Sequence, residues 1–255
     1  MAWLLQLAQR FFLPQDDAVS PKEEVDNTFV YYHQVWRALQ RGSSDSPNCS
    51  LRPPLPPELV RIIIRYAGFK VPDSALATAT NACQVSSRGP RATKVWFWGG
   101  PLTDTRLARI AALQLVTVSR DQGWVSDPTA GSWSWFDIGV FPAPPPARTN
   151  SEIADRGSSA GLAAETDWSW ISADIQNYFN DRDDGHWRYS HHNPMEKPEG
   201  RREGPIFAMD DDIWQDVKTG SIVAVRMCAQ YPGWQNKGSR AELRTWRYFE
   251  PVIPM

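Results

Sequence analysis

The first part of the chain carries apolar residues at the spacing of α-helices. A short amphipathic helix is predicted at residues 2–12, where large apolar side chains recur every three or four positions. The clearest helix begins after Ser20, with Pro21 at its first position, and Gly42 marks its end. Its apolar face consists of Val25, Phe29, Tyr32, Trp36 and Leu39.

A third helix is predicted within residues 55–69, where the sequence reads LPPELVRIIIRYAGF. Prolines mark its start and Gly68 marks its end. Its apolar positions include Leu59, Ile62, Ile63 and Tyr66. The segment from residue 72 to residue 93 is rich in alanine, serine and threonine and is interpreted as a connector.

From residue 94 onward, apolar residues alternate or run continuously over short stretches, which is typical of β-strands. Strands are predicted at residues 95–98, 111–119, 132–141, 168–175, 186–190, 221–229 and 241–249. Residues 142–166 and 193–205 are interpreted as loops, the first of them mobile, and residues 210–217 as one helical turn. This pattern predicts a mainly β protein, an antiparallel jelly-roll-like sandwich with N-terminal α-helices.

The same pattern divides the chain into three parts. Residues 1–52 form a helical extension and linker, residues 53–93 a short helix and connector, and residues 94–255 the β-sandwich domain. Within SWSWFDIGVF (132–141) the apolar phase changes after Trp135. Either both faces of this strand are covered or the strand contains a bulge.

Charge limits the classes of partner that we expect, and cysteine content indicates the compartment. The chain has 27 lysines and arginines against 29 aspartates and glutamates, which gives no electrostatic argument for nucleic-acid or membrane binding. Its three cysteines have no paired spacing, which fits a reducing compartment. The first residues lack the features of a secretory signal. We therefore expect an intracellular protein, cytoplasmic or nuclear.

Two distant segments carry a family resemblance. SRDQGWVSDPTAGSWSWFD (119–137) and GSIVAVRMCAQYPGWQN (220–236) resemble a set of uncharacterised fungal proteins with Asp-Gln-Gly-Trp and Pro-Gly-Trp-x-Asn segments. Many of these begin with a Leu-Pro-Pro-Glu-Leu-Val helix, as this chain does at residues 55–60, and that helix is similar to the start of an F-box. Where the family usually has Gly-Asp, this chain has Gly220-Ser221.

The resemblance implies a galactose-binding-like β-sandwich behind a truncated F-box-like helix. It also implies one kind of partner, a ubiquitin-ligase scaffold that the F-box-like helix would engage. The residues that would bind this partner are Leu55, Glu58, Leu59 and Ile62.

Tryptophan is unusually frequent, with thirteen in the chain and three within residues 119–139. Indole rings pack against the C–H face of a sugar, while carboxylates and amides accept hydrogen bonds from its hydroxyls. A carbohydrate or a protein segment is therefore the expected ligand. The candidate ligand-binding residues are Asp121, Gln122, Trp124, Asp127, Trp133, Trp135, Tyr231, Trp234 and Asn236. The alternative is structural: the aspartates satisfy turn N–H groups, and Trp124 and Trp234 close the ends of the core.

Three histidines lie close together in GHWRYSHHN (185–193). Adjacent histidines on a strand point to opposite faces, so His191 and His192 do not readily share a metal ion. No catalytic or cofactor-binding motif is present. The prediction is a non-enzymatic binding module that uses no metal and no cofactor. The alternatives are an F-box-like adaptor and a hydrolase in which His186 acts with a nearby carboxylate.

Overall fold

The computed structural model describes residues 21–42, 53–123, 131–142, 178–179, 186–195 and 198–251. Two compact units divide the chain: unit 1 holds the residues up to Val71 and those from Phe249 onward, and unit 2 is Pro72–Tyr248. The predicted helix at residues 2–12 and the predicted strand at residues 168–175 lie outside the described residues, as does nearly all of the predicted loop at 142–166.

The described part of unit 1 contains two helices, α1 (Pro21–Arg41) and α2 (Pro57–Tyr66), which confirms the prediction for these segments. Prolines at the first positions of both helices preset the helical backbone angle there. The buried core of this unit consists of Trp36, Leu39, Val60, Ile64, Val71 and Phe249. The rings of Tyr32 and Phe69 stack beside it with their centroids 4.2 Å apart.

Unit 2 is mainly β, and its described residues form two antiparallel sheets. The larger, curled sheet consists of β1 (Lys70–Pro72, which crosses the unit boundary), β2 (Ala77–Ala79), β3 (Cys83–Ser86), β5 (Ile110–Arg120), β8 (Gly200–Ala208) and β10 (Gln235–Tyr248). The smaller sheet consists of β4 (Arg91–Gly99), β6 (Ser134–Phe141), β7 (Trp187–His192) and β9 (Ile222–Gln230).

Strand pairing in unit 2 is nested around the connection between β6 and β7. These two strands pair with each other, and outside them β5 pairs with β8, β4 with β9, and β3 with β10. The long strand β10 also pairs with β5 along its other edge, while β2 shares the edge that β3 occupies. From β3 to β10, successive strands lie in opposite sheets except for β6 and β7, which share the smaller sheet.

The core of unit 2 lies between the two sheets. Side chains of the larger sheet, such as Leu113 and Leu243, form one cluster with Phe136, Ile138 and Val225 of the smaller sheet. All five are completely buried. Because β6 and β9 alternate, the residues between these inward-facing positions lie on the outer face of the smaller sheet. That outer face carries the candidate site.

The strand predicted at residues 132–141 meets both expectations for its change of phase. Every residue from Phe136 to Phe141 is buried, so both faces of β6 are covered. A register shift between Phe136 and Asp137 also interrupts its pairing with β7.

The helical turn predicted at residues 210–217 is confirmed as a 3₁₀ turn at Asp212–Trp214, where the Asp211 side chain accepts a hydrogen bond from Ile213 N at 3.2 Å.

Two predictions about irregular segments are wrong. Residues 193–205 were interpreted as a loop, yet Gly200 begins β8; residues 72–93 contain β2 and β3. The three strands lack a regular apolar pattern. In β8, the charged residues Arg201, Arg202 and Glu203 lie on a strand at the edge of the sheet. The strands β2 and β3 are only three and four residues long. Backbone pairing to β5 and β10 holds them in place. A short helix, α3 (Asp104–Arg109), was also missed; Thr103 caps it by accepting from Arg106 N at 3.2 Å.

Candidate functional site

The aromatic face is our name for the outer side of the smaller sheet around Trp135. Its members come from all four strands of that sheet and from two segments at one end of it, just before β6 and just after β9. They are Arg91, Trp133, Trp135, Asp137, Trp187, Tyr189, His192, Arg226, Cys228 and Tyr231. Trp135 and Asp137 alternate with inward-facing Phe136 and Ile138, which places them on this side.

A buried ion pair forms the floor of the aromatic face. Nε of Arg226 donates to Oδ2 of Asp137 at 2.9 Å, and each side chain is 6% exposed. The guanidinium of Arg226 also lies over the Trp187 ring, 4.4 Å from its centroid. A buried carboxylate of this kind is stable only because an opposite charge and hydrogen bonds surround it.

Cys228 lies beside this ion pair and is completely buried. Its Sγ donates to Oδ2 of Asp137 at 3.2 Å. Burial, followed by the nearby charge of Asp137, raises the pKa of the Cys228 thiol well above its ordinary value. The thiol is therefore protonated at neutral pH and serves as a hydrogen-bond donor, not as a nucleophile.

The accessible part of the aromatic face surrounds Trp135, which is half-buried. The guanidinium of Arg91 lies over this indole, 5.5 Å from the ring centroid, and Nη2 of Arg91 lies 3.7 Å from Oδ2 of Asp137. His192 meets the ring from the β7 side, with centroids 6.5 Å apart, and Tyr189 lies 4.9 Å from His192. Flat rings and one exposed cation thus border a single surface.

The rim of the aromatic face is the tight turn between β9 and β10. Tyr231 adopts a positive φ of 66°, which reverses the chain and leaves its ring 44% exposed. The Tyr231 ring meets Trp133 edge-on with centroids 4.9 Å apart. Gln230 N donates to the carbonyl of Trp133 at 2.9 Å. This backbone hydrogen bond, made by the residue before Tyr231, holds Tyr231 close to Trp133.

Other predicted ligand-binding residues have structural roles. Asp121 is completely buried and its Oδ1 accepts from Gly123 N at 2.8 Å; Asn236 is also completely buried and donates to the Trp135 carbonyl at 2.7 Å. Gln122 is half-buried and accepts from Gln235 N at 3.4 Å. Trp234 packs against the core of unit 2. The last two predicted residues, Trp124 and Asp127, lie outside the described residues.

The prediction did not include the ion pair at the centre of the aromatic face. One signal was present for each partner: Asp137 continues the phase of Trp133 and Trp135, and Arg226 interrupts the otherwise apolar strand SIVAVRMCA. A charge inside an apolar strand indicates a buried partner, although it does not identify that partner.

The histidines are separated, as expected for neighbours on a strand. His191 faces inward, where its Nε2 lies 2.9 Å from Oγ1 of Thr117 and its Nδ1 lies 2.9 Å from Oγ of Ser190. His192 is exposed on the aromatic face. Burial, followed by the charges of His192 and Arg202, lowers the pKa of His191 to about 4.

His186, the residue of the hydrolase alternative, lies at the far end of β6. It lines a cavity of about 400 Å³ together with Phe141, Asp216, Lys218 and other residues. Within the described residues, His186 and Asp216 share no hydrogen bond or ion pair, and both are exposed to solvent. This geometry does not include the oriented acid–base pair that a hydrolase site requires.

Helix α2 in unit 1, for which the sequence predicted an F-box-like role, has one buried and one exposed apolar side. Val60 and Ile64 are buried. Leu59, Ile62 and Tyr66 are 48%, 49% and 91% exposed. The other predicted partner-binding residues are Glu58, which is exposed, and Leu55, which packs against the core of unit 1.

Comparison with known proteins gives no relative: no protein-family model, no curated protein and no solved structure matches this chain. None of the helices in the described segments is long and apolar enough to cross a membrane.

Proposed function

We propose that unit 2 is a jelly-roll sandwich of the galactose-binding-like type and that its aromatic face is a non-enzymatic binding site for carbohydrate. The nested pairing supports the first part of this proposal. Four strand pairs, from β6–β7 outward to β3–β10, are arranged as one long hairpin rolled into two sheets. A jelly roll likewise consists of eight strands in two sheets.

The observation that carries the ligand class is the juxtaposition of Trp135 with Arg91 above a buried Asp137–Arg226 pair. A half-exposed indole offers a flat apolar surface to the C–H face of a sugar ring. The polar groups beside it can fix the orientation of that ring. Trp133 and Tyr231 extend the aromatic surface toward the rim, where a second sugar unit of an oligosaccharide would lie.

A glycan-array screen of the full chain tests this function, with Trp135→Ala as the diagnostic variant. The variant is expected to lose binding and to keep its thermal unfolding midpoint, because the Trp135 ring is only half-buried. Tyr66→Ala is the matched control, since it removes a 91% exposed aromatic side chain from unit 1. A blank array with folded protein, or a Trp135→Ala variant that unfolds, would exclude this function.

A second function is favoured by the exposed apolar stripe of α2. We propose that Leu59 and Ile62, which are about half exposed, engage a ubiquitin-ligase scaffold in the manner of an F-box helix. The sequence at residues 55–60 and its resemblance to the fungal group support this proposal. Affinity purification with the double variant Leu59→Asp/Ile62→Asp tests it, against Arg61→Ala on the same helix. An unchanged set of partners would remove the adaptor function.

A further inference from the structure

We propose that the saccharide bound by the aromatic face is anionic, carrying a carboxylate or sulfate group that pairs with Arg91. This inference rests on the proposed carbohydrate-binding function and specifies its ligand. It follows from the charges around Trp135, from the accessibility of each charged group, and from the distances between them.

Within the described residues, two guanidiniums lie beside one carboxylate in this cluster. Arg91 and Arg226 both approach Asp137. Arg226 is the close partner, with a hydrogen bond of 2.9 Å to Oδ2. The Nη2 atom of Arg91 lies 3.7 Å from the same oxygen, beyond hydrogen-bond distance. One guanidinium therefore neutralises Asp137, and the other leaves a positive charge at the surface.

The exposed fractions of the two side chains also indicate that Arg91, and not Asp137, faces a ligand. The side chain of Arg91 is 43% exposed, whereas that of Asp137 is 6% exposed. Oδ2 of Asp137 already accepts from Arg226 and from Cys228. A sugar hydroxyl therefore does not find an accessible acceptor in Asp137, and the group that faces an incoming ligand is the guanidinium.

Arginine matches the shape of a carboxylate or sulfate, because its planar donors can form two parallel hydrogen bonds. Its position 5.5 Å from the Trp135 centroid suits a ligand whose ring stacks on the indole while its acidic group reaches the guanidinium. A neutral sugar would still stack on the aromatic rings, but its hydroxyls would form only hydrogen bonds without opposite charge to the guanidinium. The aromatic face thus discriminates in favour of acidic sugars through a single residue.

The test measures binding of wild-type protein to matched pairs of oligosaccharides. One pair is a uronic-acid oligosaccharide and its carboxyl-reduced form; the other is a sulfated oligosaccharide and its desulfated form. The wild type is expected to bind the acidic member of one pair at least about tenfold more tightly, and this preference should weaken as salt rises. The pair that shows the preference identifies the anionic group.

Arg91→Gln should remove the preference and leave the thermal midpoint unchanged, since Arg91 is an exposed side chain with one distant ion pair. Arg91→Lys should retain part of it, because a lysine keeps the charge but loses the two-donor geometry. If the wild type binds the charged and neutral members equally, and Trp135→Ala binds neither, the preference for an anionic sugar is overturned. The carbohydrate-binding function would still hold. Absence of all glycan binding would overturn both.

Discussion

Asp137 and Arg226 lie directly opposite each other on β6 and β9, and their side chains form a 2.9 Å hydrogen bond on the outer face of the smaller sheet. The two residues are 89 positions apart in the chain. Their pairing therefore depends on the register of two strands and not on local sequence. The same register places Trp135 opposite Cys228, so stability and the candidate site share one pair of strands.

Removing one partner of this pair should strongly destabilise the protein. Asp137→Ala removes the carboxylate that pairs with the buried Arg226 guanidinium, and the expected loss in free energy of unfolding is about 3–5 kcal/mol. Urea unfolding measures it. Glu242→Gln is the control, because it breaks a half-exposed pair with Arg244 and should cost at most about 1 kcal/mol. Equal losses in the two variants would show that burial does not set the strength of these pairs.

Stability should fall in mildly acidic solution because of His191. Its pKa is about 4 in the folded state against an ordinary 6.5, so the unfolded chain takes up a proton first as the pH drops. The contribution of His191 is complete above pH 6.5 and is lost progressively as the pH falls toward 4. Between pH 6.5 and 5 the loss is about 2 kcal/mol.

Urea unfolding at pH 7, 6 and 5 measures this slope. His191→Asn should flatten it, because the variant has no buried imidazole at this position to take up a proton. A slope that is the same in wild type and His191→Asn would assign the acid sensitivity to other groups.

The sequence was sufficient to predict the elements with a strong apolar pattern. The strands β5 and β9 are nearly continuous apolar runs, and α1 has a proline at its start and a glycine after its end. The strand β8 was missed because its residues at Arg201, Arg202 and Glu203 are charged. A strand held by backbone pairing at a sheet edge does not need an apolar side.

The candidate site was predictable only in its aromatic part. Trp133, Trp135 and Tyr231 could be selected as aromatic residues in or near predicted loops, and the structure places them on one surface. Arg91 and Arg226 could not be assigned to that surface from sequence, because each reaches it through pairing between distant strands. Asp121 and Asn236 were selected as polar residues beside tryptophans in predicted loops, and burial gives them structural roles.

The two sides of α2 should respond differently to truncation. Ile64→Ala removes a side chain that is 2% exposed and should cost about 2–5 kcal/mol in the free energy of unfolding. Leu59→Ala removes one that is 48% exposed and should change stability by less than about 1 kcal/mol. Thermal unfolding of the full chain compares them. If Leu59→Ala were as costly as Ile64→Ala, the exposed stripe would be part of the core and unavailable to a partner.

Gly238 in β10 is expected to be intolerant of any side chain. A Cβ at this position would overlap the indole ring of Trp96, which is buried and anchored by a 3.0 Å hydrogen bond from Nε1 to the Asn81 carbonyl. Because the rigid indole has no free space to move into, Gly238→Ala should cost about 1–3 kcal/mol. Gly89→Ala is the matched control, since a Cβ there meets nothing within 4 Å. Urea unfolding of both variants measures the difference, and equal stability would mean that the Trp96 indole can shift within the core without penalty.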